Sequence, residues 1–231
     1  MRRDRSAGSA DAHPVLRIRE RDETRDMDAC VALLAEVHES DGYPVNWPAA
    51  PADWLAGNAP LGAWVAELDG RVVGHVRLSR VGADDAAPVL WSERAGVPVG
   101  ATAVVSRLFV APSARGHGIG ALLMTRVERE SRGRGLHPVL DVVSTDAPAA
   151  ALYERLDWEL LDVVEREWGP GRLVALRCYA APSRGESGTS GRGESGRAVS
   201  GAGASAAAVS VGAVAADATP RSAASSPRSA G

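Results

Sequence analysis

From Val104 to Met124 the chain reads VVSRLFVAPSARGHGIGALLM, an apolar run, a turn, three closely spaced glycines and an amphipathic stretch that continues to Arg132. The run from Val104 to Val110 is typical of a buried strand, and the stretch from Ala121 has the spacing of a helix. Glycines between them permit turns and close approach of a ligand that a Cβ would prevent. Because a helix begins with unpaired N–H groups and a partial positive charge, this segment predicts a binding site for an anion, most naturally a phosphate.

Two common phosphate-binding motifs do not fit this loop. A P-loop requires a lysine, and the chain contains none. The dinucleotide pattern Gly-x-Gly-x-x-Gly/Ala is matched literally by Gly116, Gly118 and Ala121. In a dinucleotide site, however, the glycines follow the strand directly and an acidic residue ends the next strand. Here residues 111–115 separate the glycines from the strand, and the next strand candidate starts with Asp141 and does not end on an acidic residue. Both differences disfavour a nicotinamide-dependent oxidoreductase.

The composition suits a globular, intracellular protein. The chain has 231 residues, is 45% hydrophobic and carries a formal net charge of −3, which gives no electrostatic reason to expect a nucleic acid partner. All basic residues are arginine, a bias typical of a GC-rich bacterial genome. No segment approaches the roughly 18 apolar residues of a membrane helix, and Cys30 and Cys178 lack metal-ligand spacing. We expect a cytoplasmic bacterial protein without a metal site or a membrane partner.

Composition also divides the chain into three segments. Residues 1–14 are charged and lack an apolar core, and residues 182–231 are rich in Ser, Gly, Ala and Arg without aromatic residues. Such segments bury too little apolar surface to offset chain entropy, so both are predicted to be disordered. Residues 15–181 are predicted to form a single domain.

Within that domain the hydrophobic pattern predicts the order β-α-(α)-β-β-β-α-β-α-β-β. Asp69-Gly70 and Gly169-Pro-Gly171 each separate two strand-like runs and predict hairpins. Residues 82–100 are predicted to be a long loop. This order favours an α/β (α+β) fold with a mixed, mostly antiparallel sheet of about seven strands and helices on both faces.

The loop Arg115-Gly-His-Gly-Ile-Gly120 resembles the pyrophosphate-binding loop of the GNAT superfamily of acyl-CoA-dependent N-acetyltransferases, in its Arg-Gly-x-Gly-x-Gly form. The predicted element order is also that of the superfamily, so the resemblance covers most of residues 15–180. It implies a GNAT-like domain, acetyl-CoA as acetyl donor, and an acyltransferase. The main-chain and loop positions that it assigns to the coenzyme are Leu108, Phe109, Val110, Arg115, Gly116, His117, Gly118, Ile119, Gly120 and Ala121.

A second motif, from Asp146 to Trp158, reads DAPAAALYERLDW and resembles the family pattern Asn-x-x-Ala-x-x-Leu-Tyr-x-x-x-Gly-Phe. The resemblance makes Tyr153 the general acid that protonates the coenzyme A thiolate, a role worth roughly 10²–10⁴ in rate. Asp146 replaces the Asn beside the coenzyme but can still cap the helix. Asp157 replaces the Gly, which predicts a strained or relaxed turn. The structural alternative is Tyr153 as a packing residue.

The general base is not determined by the sequence. Many family members carry a Glu on the strand before the loop, where this chain has Ser106 and Arg107. His75, on a predicted strand, is a candidate that would act through a water, and Glu93 is a second candidate. An amine that arrives uncharged would need no base.

The acceptor site is predicted from the segment that roofs it in the family. Asp41, Tyr43 and Trp47 lie there and could hold a cationic amine by charge and cation–π contact, with Glu93 bordering the cleft. A rigid loop that packs its own aromatic residues explains the same segment equally well.

Two functions are compatible with these motifs. The favoured one is an N-acetyltransferase in which a primary amine, of a small molecule or a peptide, attacks acetyl-CoA directly. The alternative is a non-catalytic acyl-CoA-binding sensor or scaffold module. The identity of the acceptor is left open, as is a homodimer.

Overall fold

The computed structural model of the protein describes residues 14–58, 60–168 and 171–183. The strands are β1 (Leu16–Glu20), β2 (Pro60–Leu68), β3 (Arg71–Ser79), β4 (Thr102–Val110), β5 (His137–Val143), β6 (Glu159–Glu167) and β7 (Leu173–Ala180). The helices are α1 (Met27–Asp41), α2 (Pro51–Ala56), α3 (Ala87–Ala95), α4 (Ile119–Gly133) and α5 (Ala147–Arg155). Nearly all of the two terminal segments predicted to be disordered lies outside the described residues.

The strands form one seven-stranded sheet in the order β1-β2-β3-β4-β5-β7-β6. Neighbouring strands are antiparallel except β4 and β5, which are parallel. The mixed, mostly antiparallel sheet expected from the sequence is confirmed.

The central strands β4 and β5 separate along their length. Their ladder joins Thr102–Val104 to His137–Val139 and then stops. Beyond it, β4 continues against β3 while β5 continues against β7. A bulge interrupts the pairing of β4 with β3 at Arg107, whose φ is 53°. Because a bulge bends its strand, the carboxyl-terminal half of β4 leaves β5 and a gap opens in the middle of the sheet.

Helices cover both faces of the sheet. On one face α4 packs over Gly74, where a Cβ would lie 3.1 Å from Leu123 and 3.2 Å from Ile119, so glycine lets the helix approach closely. Trp64 of β2 lies on this face beneath Arg126 of α4. The next residue, Val65, points to the opposite face and is also fully buried.

The prediction of a long loop at residues 82–100 is wrong, because this segment contains α3. Asp141 of β5 accepts hydrogen bonds from the N–H groups of Ala86 (2.8 Å) and Ala87 (2.9 Å) and so caps the helix from across the chain. Trp91 stacks on His137 with ring centroids 3.8 Å apart. The helix depends on these long-range contacts, although Pro88 at its start and Gly96 after its end were local signals for it.

Among residues 14–58, 60–168 and 171–183, no helix has the length and apolar character needed to cross a membrane. The same residues contain no cluster of His, Cys, Asp and Glu side chains suited to a metal ion.

Candidate active site

The glycine loop lies between β4 and α4 and faces open space. Gly116 has a φ of 81° and Gly118 a φ of 72°, which L-residues with a Cβ rarely adopt. A Cβ at either position would meet no atom within 4 Å. Gly118 is the N-cap of α4 and provides no side-chain cap, so the first N–H groups of the helix are free to bind an anion. The helix begins at Ile119, two residues earlier than the sequence predicted.

The two polar side chains of the loop are already engaged. The Nδ1 atom of His117 lies 2.9 Å from the carbonyl oxygen of Arg115, so the ring folds back on the loop. Arg115 forms an ion pair with Asp41 at the end of α1, and its Nε donates to the carbonyl of Val110 (3.3 Å). Asp41, predicted as an acceptor residue, therefore lies beside the predicted coenzyme loop and shares the charge of Arg115.

Residues 108–110 of β4, which precede the loop, border the gap between β4 and β5 with their main-chain atoms. The side chains of Leu108, Phe109 and Val110 are buried in the core. Since β5 does not pair with this half of β4, the arrangement suits main-chain contacts with a ligand in the gap.

Tyr153 is fully buried on α5, the helix that follows β5. Its ring packs against Trp158 (centroids 6.0 Å apart) and Tyr179 (5.5 Å). Its hydroxyl has no hydrogen-bond partner among the residues that the structure describes. Burial, reinforced by the nearby Asp146 carboxyl, raises the pKa of Tyr153 well above its usual value, so the hydroxyl stays protonated. An unpaired, protonated donor in a buried position is suited to protonating a ligand.

The positions that depart from the family pattern are accommodated. Asp146 caps α5 by accepting the N–H of Ala149 at 2.9 Å. Burial, followed by the charge of Asp41, raises the pKa of Asp146 to about 6 despite that hydrogen bond. Asp157 has a φ of 58°, the left-handed conformation expected where the pattern has glycine and one that Asp tolerates.

His75 is fully buried on β3 with both ring nitrogens engaged. Nδ1 lies 2.9 Å from the carbonyl oxygen of Arg107 in the β4 bulge, and Nε2 lies 3.1 Å from Nη1 of Arg21. Burial and the charge of Arg21 lower the pKa of His75 well below its usual value. A neutral ring that donates to the bulge carbonyl and accepts from Arg21 satisfies both contacts. This geometry favours a structural role for His75, holding the bulge, over the predicted role of base.

The remaining predicted acceptor residues are not brought together. Tyr43 is buried and packs against Phe109 of β4 (6.1 Å). Trp47 is 42% exposed and packs against His38. Glu93 lies exposed on α3 and does not line the cleft described next. Of the four predicted residues, Asp41 contacts the loop and Tyr43 contacts β4, whereas Trp47 contacts the last turn of α1 and Glu93 lies on α3.

A cleft of about 460 Å³ lies beside the β4 bulge, between α2, the end of β3 and residues 82–85. Two buried arginines, Arg77 of β3 and Arg107 of β4, line it. From the sequence, Arg107 was only a departure from the family pattern, and Arg77 had no predicted role. Their signal was available, because a charged residue inside an apolar strand that is buried on both faces is unusual in proteins.

A glycine loop at a helix start, beside a central strand pair that diverges, is suited to an elongated ligand that carries a phosphate group. The sequence profile of the Acetyltransferase (GNAT) family matches residues 27–158. Because this match spans more than half of the chain, the protein belongs to the GNAT acetyltransferase family. No curated protein sequence matches the chain.

Solved structures show the same fold. An N-acetyltransferase from Staphylococcus aureus Mu50 is 18% identical, with a TM-score of 0.56 over 72% of this chain and 97% of its own. A putative acetyltransferase from Salmonella typhimurium, determined with its cofactor acetyl-CoA, is 19% identical, with a TM-score of 0.51 over 75% and 96%. Arabidopsis thaliana NAA60 in complex with a bisubstrate analogue is 17% identical, with a TM-score of 0.54 over 72% and 98%.

The predicted family, fold class, acyltransferase activity and use of acetyl-CoA as the acetyl donor are confirmed. The bacterial origin, the cytoplasmic location, the homodimer and the roles of individual residues stay predictions.

Proposed function

We propose that the protein transfers the acetyl group of acetyl-CoA to a primary amine by direct attack of the amine on the thioester. The observation that carries this proposal is the buried Tyr153 hydroxyl, which is protonated and donates to no described residue. Such a group is costly to bury unless a ligand uses it. The thiolate of coenzyme A is a ligand that requires a proton when it leaves.

The first task of the chain is to hold the donor. The N–H groups from Gly116 to Ala121 would bind the pyrophosphate, because the left-handed glycines and the start of α4 direct them to open space. Arg115 would add a positive charge that it now shares with Asp41. Asp146 would lie on the coenzyme side of α5, where it caps the helix.

The second task is to polarise the thioester carbonyl. Main-chain N–H groups of residues 108–110 that face the gap, and not β3, would donate to the thioester carbonyl, because this half of β4 has no partner in β5. His75 would support this geometry indirectly, since it holds the carbonyl of Arg107 in the bulge.

The third task is proton transfer. Tyr153 would protonate the departing thiolate, and its raised pKa keeps it protonated across the working pH range. The amine would attack in its uncharged form, so no side-chain base is required before the attack. The nitrogen would then lose its excess proton to solvent, and Tyr153 would regain from solvent the proton that it gave to the thiolate. Both cysteines are buried and unpaired, and burial raises the pKa of Cys30 to about 12, which argues against a cysteine acyl intermediate.

The loop assignment is tested by Gly118→Asp, which places a carboxylate at the start of α4. Gly118→Asn is the matched control, because Asn has the same shape and tolerates the left-handed φ of 72°. Calorimetry should show that Gly118→Asp weakens acetyl-CoA binding at least tenfold more than Gly118→Asn does, since only the Asp opposes the pyrophosphate by charge. Equal affinities for the two variants would contradict the loop assignment.

A further inference from the structure

The cleft beside the β4 bulge contains two buried arginines that form no direct ion pair with any residue that the structure describes, although Asp85 lies close enough to interact with Arg77 by charge. Arg77 is 3% exposed and Arg107 is 5% exposed. Nε of Arg77, together with Nε and Nη1 of Arg107, has no hydrogen-bond partner in the part of the chain that the structure describes. Within that part, neither guanidinium has a carboxylate within 4 Å. Buried charges are normally paired, so this arrangement points to an anion supplied from outside the chain.

The two guanidinium groups are held in place and converge. Arg107 lies over the ring of Trp54, 4.6 Å from its centroid, which fixes the plane of the guanidinium. Arg77 donates to the carbonyl of Asn58, just after α2. Both reach under Gly57, where a Cβ would lie 2.2 Å from Nη1 of Arg77 and 2.9 Å from Nη1 of Arg107. Glycine therefore makes room for two like charges side by side.

Arg77 and Arg107 lie close to the main chain that is proposed to hold the thioester. Arg107 is the bulge residue of β4 and immediately precedes residues 108–110, the main chain proposed to hold the thioester. Ser106 also lines the cleft, and its hydroxyl has no described partner. A volume of about 460 Å³ is within the range of sites for small molecules. A molecule bound here would therefore lie next to the acetyl group.

We propose that the acceptor is an amine that also carries a carboxylate, as an amino acid does, and that Arg77 and Arg107 bind this carboxylate. The proposal rests on the acetyltransferase function proposed above and names the class of its acceptor. The guanidinium fork matches a carboxylate in geometry, and a bidentate pair of this kind is among the strongest polar contacts in proteins.

A carboxylate fits the cleft better than a phosphate does. Asp53, Asp84 and Asp85 also line it. Burial above all, and then the neighbouring Asp141 and Asp84 charges, raise the pKa of Asp85 to about 6, although Arg77 acts in the opposite direction. A dianionic phosphate would be repelled by these groups about twice as strongly as a singly charged carboxylate.

The test compares amines that differ only in the carboxylate. Initial rates of coenzyme A release are measured with a panel of amino acids and with their carboxamides, with each rate corrected for the fraction of uncharged amine. We expect at least one amino acid to exceed its carboxamide by about 10²-fold in kcat/KM. Arg107→Gln should abolish this preference mainly through KM, and Arg107→Lys, which keeps the charge without the fork, should restore part of it. Arg71→Gln, at the exposed start of the same strand as Arg77, should change nothing.

A second measurement needs neither a variant nor turnover. In the presence of coenzyme A, N-acetyl amino acids should raise the melting temperature of the unaltered protein, and N-acetyl amino acid amides should not. Acetylation of amines without any preference for a carboxylate would overturn the acceptor proposal and leave the transferase intact. A preference for aminoalkyl phosphates would also overturn it. Stabilisation by N-acetyl amino acids without acetylation of any amine would support the carboxylate site while contradicting the proposed function.

Discussion

Replacing Tyr153 with Phe removes one oxygen atom from the centre of the proposed mechanism. The ring is fully buried between Trp158 and Tyr179, and Phe keeps those contacts. The hydroxyl donates to no described residue, and a buried unsatisfied polar group costs about 1–3 kcal/mol. The variant should therefore be at least as stable as the parent. Any loss of activity can then be assigned to the proton and not to the fold.

The expected loss is in the chemical step. Without a positioned acid, kcat should fall on the order of 10²-fold, which corresponds to about 2.7 kcal/mol of activation free energy. The KM for acetyl-CoA should change little. Because burial holds the pKa of Tyr153 well above its usual value, the parent enzyme should not lose this acid as the pH rises through the neutral range. The deficit of the variant should shrink at low pH and with acyl donors whose thiols are more acidic.

The assay is the initial rate of thiol release with a saturating amine, under conditions where chemistry limits turnover. Tyr179→Phe is the matched control, because its ring neighbours Tyr153 while its hydroxyl donates to Glu154 at 3.3 Å. The control should keep most of the parental kcat. If Tyr153→Phe retained the parental kcat across the pH range, or if both variants lost activity equally, Tyr153 would not be the acid.

Three further variants test the surroundings of the site. Asp41→Asn should lower the Kd for acetyl-CoA severalfold in calorimetry, because it frees the charge of Arg115 for the pyrophosphate; a raised Kd would mean that Asp41 orients Arg115 instead. The pKa of Asp85 is raised in the folded protein, from 3.8 to about 6. Between these two pH values the folded state keeps a proton that the unfolded state has released. The free energy of unfolding therefore falls as the pH rises from about 4 to 6. Asp85→Asn should flatten this fall in urea unfolding and add on the order of 1 kcal/mol at pH 7, allowing for partial exposure; an unchanged pH dependence would refute the assignment. His75→Asn should lower the free energy of unfolding by about 2 kcal/mol and leave the pH profile of kcat unchanged, because both nitrogens are engaged; a shifted acid limb would restore His75 as a base.

The loop and its helix could be predicted from sequence because their physics is local. Gly116 and Gly118 stand at positive φ, and the helix that follows has an apolar face within a few residues of them. The hairpin of β2 and β3 could be predicted for the same reason, since its turn, Asp69-Gly70, is set by adjacent residues. Such turns and helix starts can be predicted from a few neighbouring residues, without the rest of the chain.

The parts that escaped sequence reasoning depend on distant residues. The cap of α3 is Asp141, 55 positions from the Ala86 N–H that it accepts. From the sequence, His75 is a candidate base. In the structure its Nδ1 contacts the carbonyl oxygen of Arg107 in the bulge, 32 positions away along the chain. Arg77 and Arg107 become a pair only when β3 and β4 align and Gly57 lets both guanidinium groups approach. Such contacts form only in the tertiary structure, and local sequence patterns do not predict them.

The central claim is that acetyl-CoA lies with its pyrophosphate on the glycine loop and its sulfur beside Tyr153. A crystal structure of the complex with acetyl-CoA tests this most directly. We predict that the pyrophosphate oxygens accept hydrogen bonds from N–H groups between Gly116 and Ala121, and that the thioester sulfur lies within hydrogen-bonding reach of the Tyr153 hydroxyl. A coenzyme bound away from the gap between β4 and β5, or a sulfur atom that does not approach Tyr153, would contradict the account.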